Sequence, residues 1–96
     1  MASSVIKAGR LFQRTVTVPW SVSGSSTYNT NLYTIINADL PSGYRCVGIV
    51  GFELGQNQQM LVNCRYVDDN YSFQIRNMAT ADRSGTATIY YLCTPN

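Results

Sequence analysis

The chain has 96 residues, which suits one domain with a single modest core. Charged residues make up 12%, against about 25% in an ordinary soluble protein, and the net charge is +2. Ser, Thr, Asn, Gln and Tyr fill the difference, giving a neutral, hydrogen-bonding surface with too little positive charge to bind nucleic acid. No run approaches the ~18 apolar residues of a membrane span, so no membrane insertion is expected.

Residues 1–10 are small and polar, carry Lys7 and Arg10, and show no periodicity; they are expected to form a flexible N-terminal arm. Residues 11–96 are then the single folded domain. Residues 11–18 alternate, with Phe12, Val16 and Val18 on one side and Gln13, Thr15 and Thr17 on the other, as in a half-buried strand. Arg14 breaks the apolar face. Pro19 lacks a backbone donor, so the strand ends or reaches a sheet edge there. Residues 21–27 are a loop by composition. Residues 28–37 read as a second strand, strongest over Leu32-Tyr33-Thr34-Ile35-Ile36.

A Pro41-Ser42-Gly43 turn opens the most apolar stretch, residues 44–54. Val47, Ile49 and Val50 make it a strand, but it does not alternate cleanly. Tyr44, Cys46, Val50, Phe52 and Leu54 share one parity; Val47 and Ile49 hold the other. A strand apolar on both faces is expected to be covered on both. Gly48 and Gly51 inside it mark a bend or a close approach.

Residues 59–66 and 71–77 predict a hairpin around an Asp/Asn turn at 67–70. Its interior is expected to hold Met60, Val62, Cys64 and Tyr66 from one strand and Tyr71, Phe73 and Ile75 from the other, with Ser72, Gln74 and Arg76 outward. A polar loop spans 79–84. Residues 85–93 form the last strand, with Ala87, Ile89, Tyr91 and Cys93 inward. Six strands without a helix predict an all-β fold, a small antiparallel β-sandwich of jelly-roll-like type.

The chemistry-bearing residues are few. Cys46, Cys64 and Cys93 fit no metal or redox spacing and lie within strands, so they read as buried hydrophobes, with one disulfide as the alternative. There is no histidine, and four of the five carboxylates (Asp39, Glu53, Asp68, Asp69 and Asp82) fall in turns or loops. General acid–base catalysis has little material, so no enzyme, cofactor or metal site is expected. Asp68-Asp69-Asn70 lacks calcium-loop spacing and reads as a hairpin turn. Asn70-Tyr71-Ser72 matches a glycosylation acceptor by coincidence, and Gly48-x-x-Gly51 has no following helix to make a phosphate loop.

Aromatic faces stack on sugar rings and amides bond their hydroxyls. On that chemistry the candidate ligand contacts are Trp20, Tyr28, Asn29, Asn31, Asn57, Asp69 and Asn70, and the expected binding loops are 21–27, 55–58, 67–70 and 79–84. Trp20 and Tyr28 are expected at the surface beside a loop, and Tyr71 in the core. Val47, Ile49, Tyr90 and Leu92 supply apolar surface beyond what one small sandwich covers, and are the candidate subunit contacts.

The order of segments over roughly residues 28–93 resembles the small C-terminal tip domains of bacteriophage tail fibres and baseplate receptor-binding proteins. The resemblance is carried by Leu-Pro-Ser-Gly-Tyr at 40–44 and Val-Gly-Ile-Val-Gly-Phe at 47–52. Tyr-Ser-Phe-Gln-Ile-Arg-Asn-Met at 71–78 and Thr-Ala-Thr-Ile-Tyr-Tyr-Leu at 86–92 complete it. It implies a homotrimeric β-sandwich at the virion tail tip that binds a host cell-surface saccharide or protein and contacts other virion proteins. The N-terminus lacks the apolar core of a signal peptide, which fits synthesis in the host cytoplasm. The alternatives are a structural virion component, either a capsid decoration or a tail-assembly protein, and a carbohydrate-binding module.

Overall fold

The structure is a computed structural model, and it describes residues 10–56 and 60–96. Its framework is all-β: among the described residues six strands form two three-stranded antiparallel sheets, crossed by one short helix. The elements are β1 (Phe12–Val22), β2 (Thr27–Thr30), α1 (Leu32–Asp39), β3 (Tyr44–Glu53), β4 (Met60–Cys64), β5 (Phe73–Asn77) and β6 (Arg83–Pro95). One sheet has the order β1-β6-β3, the other β2-β5-β4. A single apolar cluster joins Val16, Trp20, Ala87 and Ile89 of the first sheet to Phe73 and Ile75 of the second.

β1 runs straight through Pro19 to Val22, because an edge strand loses no ladder bond at a residue without an N–H. Its inward residues are Val16, Val18, Trp20 and Val22. Arg14 lies on the same parity but is not idle. Its Nε donates to the Tyr91 hydroxyl at 3.1 Å, and its Nη2 lies 3.4 Å from Asp39 Oδ2. The Tyr91 hydroxyl donates in turn to the same carboxylate. This network ties the last residue of α1 to the β1-β6-β3 sheet.

The expected strand at 28–37 is corrected. Only Thr27–Thr30 pairs with β5, and the Leu-Tyr-Thr-Ile-Ile run that looked most strand-like is helical. Asn31 caps it, its side-chain oxygen accepting the Thr34 N–H at 3.2 Å. Leu32 and Ile36 lie one turn apart and are both fully buried, so the run satisfies a helical period as well as its β-branched content satisfies a strand. The Leu40 N–H closes on Ile36 O, and Pro41 stops the helix.

The two-faced apolar character of residues 44–54 has a different cause from the one expected. β3 slips register against β6 twice, between Cys46 and Gly48 and between Ile49 and Gly51. The slips keep Cys46, Ile49 and Leu54 on the inner side and leave Val47 and Val50 as the extra residues, 44% and 51% exposed, while Phe52 is also exposed. Gly48 has φ +151, which a side chain would strain. Ile49 packs against its own chain's core, and Tyr90 donates a 2.8 Å hydrogen bond to Glu53, so of the four proposed subunit contacts Val47 is the most exposed.

The β4–β5 hairpin forms as expected, but β5 begins at Phe73, with Phe73, Ile75 and Asn77 inward. Ser72 is fully buried, while Tyr71 is 54% exposed. β6 carries Ala87, Ile89, Tyr91 and Cys93 inward, all fully buried, as the alternation predicted. All three cysteines are free thiols: Cys46 and Cys93 are buried, Cys64 half-buried.

Ile89→Ala is expected to cost about 2–5 kcal/mol, the cavity penalty of a filled core, whereas Leu61→Thr on an exposed edge should stay within about 0.5 kcal/mol; chemical denaturation reads both. Burial, then the hydrogen bond to Asp39, pushes the Tyr91 phenol from 10.0 up to about 12. A raised folded-state value gives stability that is complete below the ordinary pH of 10 and lost as pH rises through about 12. Tyr91→Phe should lower the melting midpoint overall yet flatten its fall across that alkaline window.

Candidate functional site

The loops expected at 21–27 and 79–84 and the one at 67–70 fall at two opposite ends of the β2-β5-β4 sheet. At the end where β5 finishes, residues 23–26 and 78–82 are bound together by the fully buried Asn77. Its amide nitrogen donates to Ser23 O and Ala81 O, and its amide oxygen accepts the Ala79 N–H. A side chain on Gly24 would collide with the Thr80 carbonyl, so the two loops touch backbone to backbone. Further backbone links join them, with Ser25 N–H donating to Ala79 O and Asn77 N–H to Ser26 O. Asn57 lies outside the described residues.

At the other end, β2 passes into α1 beside the turn that leads into β5. The junction rests on the Ser72 hydroxyl, which accepts the Leu32 N–H at 2.7 Å and donates to Thr30 O at 3.4 Å. A second link runs from Asn31 Nδ2 to Asp68 Oδ1, 3.0 Å apart. The turn is braced internally, with Asp69 Oδ1 accepting the Tyr71 N–H at 2.8 Å and Asp69 O accepting the Ser72 N–H at 3.0 Å. That brace carries Tyr71 out of the strand's alternation and turns it to solvent.

Between these walls lies an open notch of about 530 Å³, lined by Asn29, Thr30, Asn31, Thr34, Ile35, Asn70 and Tyr71. Its volume falls in the range of small-molecule sites, about 300–1,000 Å³. Three of the nominated ligand residues, Asn29, Asn31 and Asn70, meet here. They do not have equal roles. Both ends of the Asn31 amide are engaged, by the Thr34 N–H and by Asp68, so it frames the notch. Asp69 likewise spends a carboxylate oxygen on its own turn. Asn29 and Asn70 make no side-chain hydrogen bond among the described residues, nor do the hydroxyls of Thr34 and Tyr71. The free groups are therefore two amides, a hydroxyl and an exposed phenol ring, all uncharged.

Two aromatic expectations are corrected. Trp20 is 3% exposed, packed into the core with its indole N–H donating to Leu54 O at 3.0 Å, so it cannot meet a ligand. Tyr28 is half-buried on the inner face of β2, opposite Ile75, rather than at the surface. The aromatic at the notch, Tyr71, is exposed rather than in the core, because β5 begins at Phe73, two residues later than the alternation suggests. The signal that locates it is Asp69, whose side chain is placed to lengthen the turn beyond Asn70.

A second aromatic surface pairs Tyr33 with Tyr66, ring centroids 4.8 Å apart. The Tyr66 hydroxyl donates to Asn37 Oδ1, and burial pushes its phenol up. Its hydroxyl is thus already engaged. Among the described residues no three His, Cys, Asp or Glu side chains converge to hold a metal.

Comparison with protein-family models, with curated proteins and with solved structures gave no match.

Ser72→Ala is expected to leave the Leu32 N–H without its acceptor inside the core and to cost about 1–3 kcal/mol, measured by thermal or denaturant unfolding.

Proposed function

We propose that the chain is the host-recognition tip of a bacteriophage tail fibre or baseplate receptor-binding protein, working by non-covalent attachment alone. The observation that carries this reading is the notch beside α1, where Asn29, Asn70 and Tyr71 offer uncharged hydrogen-bonding groups around an exposed aromatic ring. That chemistry suits a neutral, polyhydroxylated ligand such as a cell-surface saccharide. The ring covers an apolar sugar face while the amides replace the water bonds of its hydroxyls. The resemblance of residues 28–93 to phage tip domains agrees with it. A homotrimer would present three notches, and simultaneous engagement multiplies a weak single-site affinity by orders of magnitude. The protein would act on the virion surface.

One observation favours a second reading, a structural virion component. Val47, Val50 and Phe52 are exposed along the edge strand β3, a surface that suits contact with another viral protein.

Binding of the protein to host cells and to an array of surface glycans tests the first reading. Tyr71→Ala, which removes an exposed ring, should leave folding intact and lower affinity about tenfold or more, equivalent to roughly 1.4 kcal/mol. Unchanged binding by that variant would remove the notch from recognition. A folded protein that ignores both cells and glycans would transfer the assignment to the structural reading. Light scattering tests the trimer against the 10.7 kDa of one chain.

A further inference from the structure

We infer that Cys46 and Cys93 are a site of oxidative modification, a cross-strand pair that closes into a disulfide and staples the edge strand β3 to the central strand β6. The two residues are register partners in the β3–β6 ladder, and both face the interior. Directly opposed residues of antiparallel strands have Cα atoms about 4.5–5.5 Å apart, inside the window of about 4.4–6.8 Å that a disulfide spans. Bridging therefore needs side-chain rotation and little backbone movement. At present the thiols turn aside, Cys46 Sγ toward Gly48 O at 3.7 Å and Cys93 Sγ toward Phe12 O at 3.6 Å. The register slip that follows Cys46 gives β3 local freedom to close the remaining distance. Cys64 is not part of this arrangement; it belongs to the other sheet and lies opposite Phe73.

The reaction is thiol–disulfide exchange with a low-molecular-weight disulfide such as glutathione disulfide. Cys46, on the edge strand and 8% exposed, attacks first. The glutathione S–S bond breaks, a mixed disulfide forms, and one glutathione leaves with the proton that Cys46 gave up. Cys93 then attacks the Cys46 sulfur and displaces the second glutathione, which takes the second proton. Two protein thiols are oxidised to one disulfide, and glutathione disulfide is reduced to two glutathiones. Burial pushes both thiols up, so exchange waits on the opening of β3. The expected consequence is a chain that folds as a dithiol in a reducing compartment and is locked on reaching an oxidising one. This inference stands on the ladder register alone and does not depend on the proposed ligand.

The test is the full chain carrying Cys64→Ser, incubated with excess glutathione disulfide, acid-quenched, unfolded and assayed for thiols and intact mass. The expected result is the loss of both remaining thiols, a mass lower by two hydrogens, a monomeric chain on a non-reducing gel, and a higher melting midpoint. Cys46→Ser and Cys93→Ser should each abolish the internal bridge. Two thiols still titratable at equilibrium, stable glutathione adducts, or disulfide-linked dimers would overturn the inference. If Cys64→Ser does not fold, the wild-type chain decides instead. After oxidation, chymotryptic cleavage at Phe52 and Leu54 separates Cys46 from Cys64. A Cys46–Cys93 peptide supports the inference, while any bridge to Cys64, or none, overturns it.

Discussion

The Ser72 hydroxyl is the contact on which the arrangement of this molecule turns. It is fully buried, and it serves two backbone groups at once, the last carbonyl of β2 and the first N–H of α1. A helix start leaves N–H groups without intrahelical partners, and a strand end leaves a carbonyl; in the interior both must be satisfied. One side chain from the turn that leads into β5 meets both needs, and so determines where β2 stops and α1 begins. The opposite end of the helix is held by Arg14 and Tyr91 on Asp39. An eight-residue helix is marginal in isolation. Pinned to a different sheet at each end, it becomes the strut that spans the sandwich.

The notch inherits its shape from that strut. Asn31 and Asp69, which looked like ligand contacts, are instead the parts that hold the junction and the turn in place, leaving Asn29, Asn70, Thr34 and Tyr71 with free polar groups. A binding surface made of uncharged groups gains little from long-range attraction and depends on fit, so a rigid frame matters more than charge. The loops at the other end show the converse. The Asn77 side chain engages Ser23 O, Ala81 O and the Ala79 N–H, so that these loops brace one another.

The β1-β6-β3 sheet poses a different constraint. Its central strand is covered on both edges, while β3 has one edge unpaired. The two register slips in β3 twist that edge and so discourage another strand from pairing with it, at the cost of exposing Val47 and Val50. The same slip follows Cys46 directly, so the least regular part of the sheet is also the part that a cross-strand bond to Cys93 would secure.

Much of the framework was legible from alternation alone. Inward residues at every second position identified the faces of β1, β5 and β6, because a strand's side chains alternate whatever it packs against. The scarcity of charge likewise pointed to a neutral surface without help from the fold. Three features needed tertiary structure. Leu32 to Ile36 fits a strand by its β-branched residues and a helix by its spacing. The choice fell to a cap at Asn31 and a buried acceptor at Ser72, forty positions away. Trp20 stands next to a loop in sequence yet lies in the core, because Leu54 O, far along the chain, receives its N–H. Tyr71 shares the parity of Phe73 and Ile75 yet faces water, since the Asp69 turn ends two residues later than composition suggests. Local pattern determines which face of an established strand is apolar; where a strand begins, and which side chain meets solvent at its end, depends on hydrogen-bond partners that only the folded chain brings into reach.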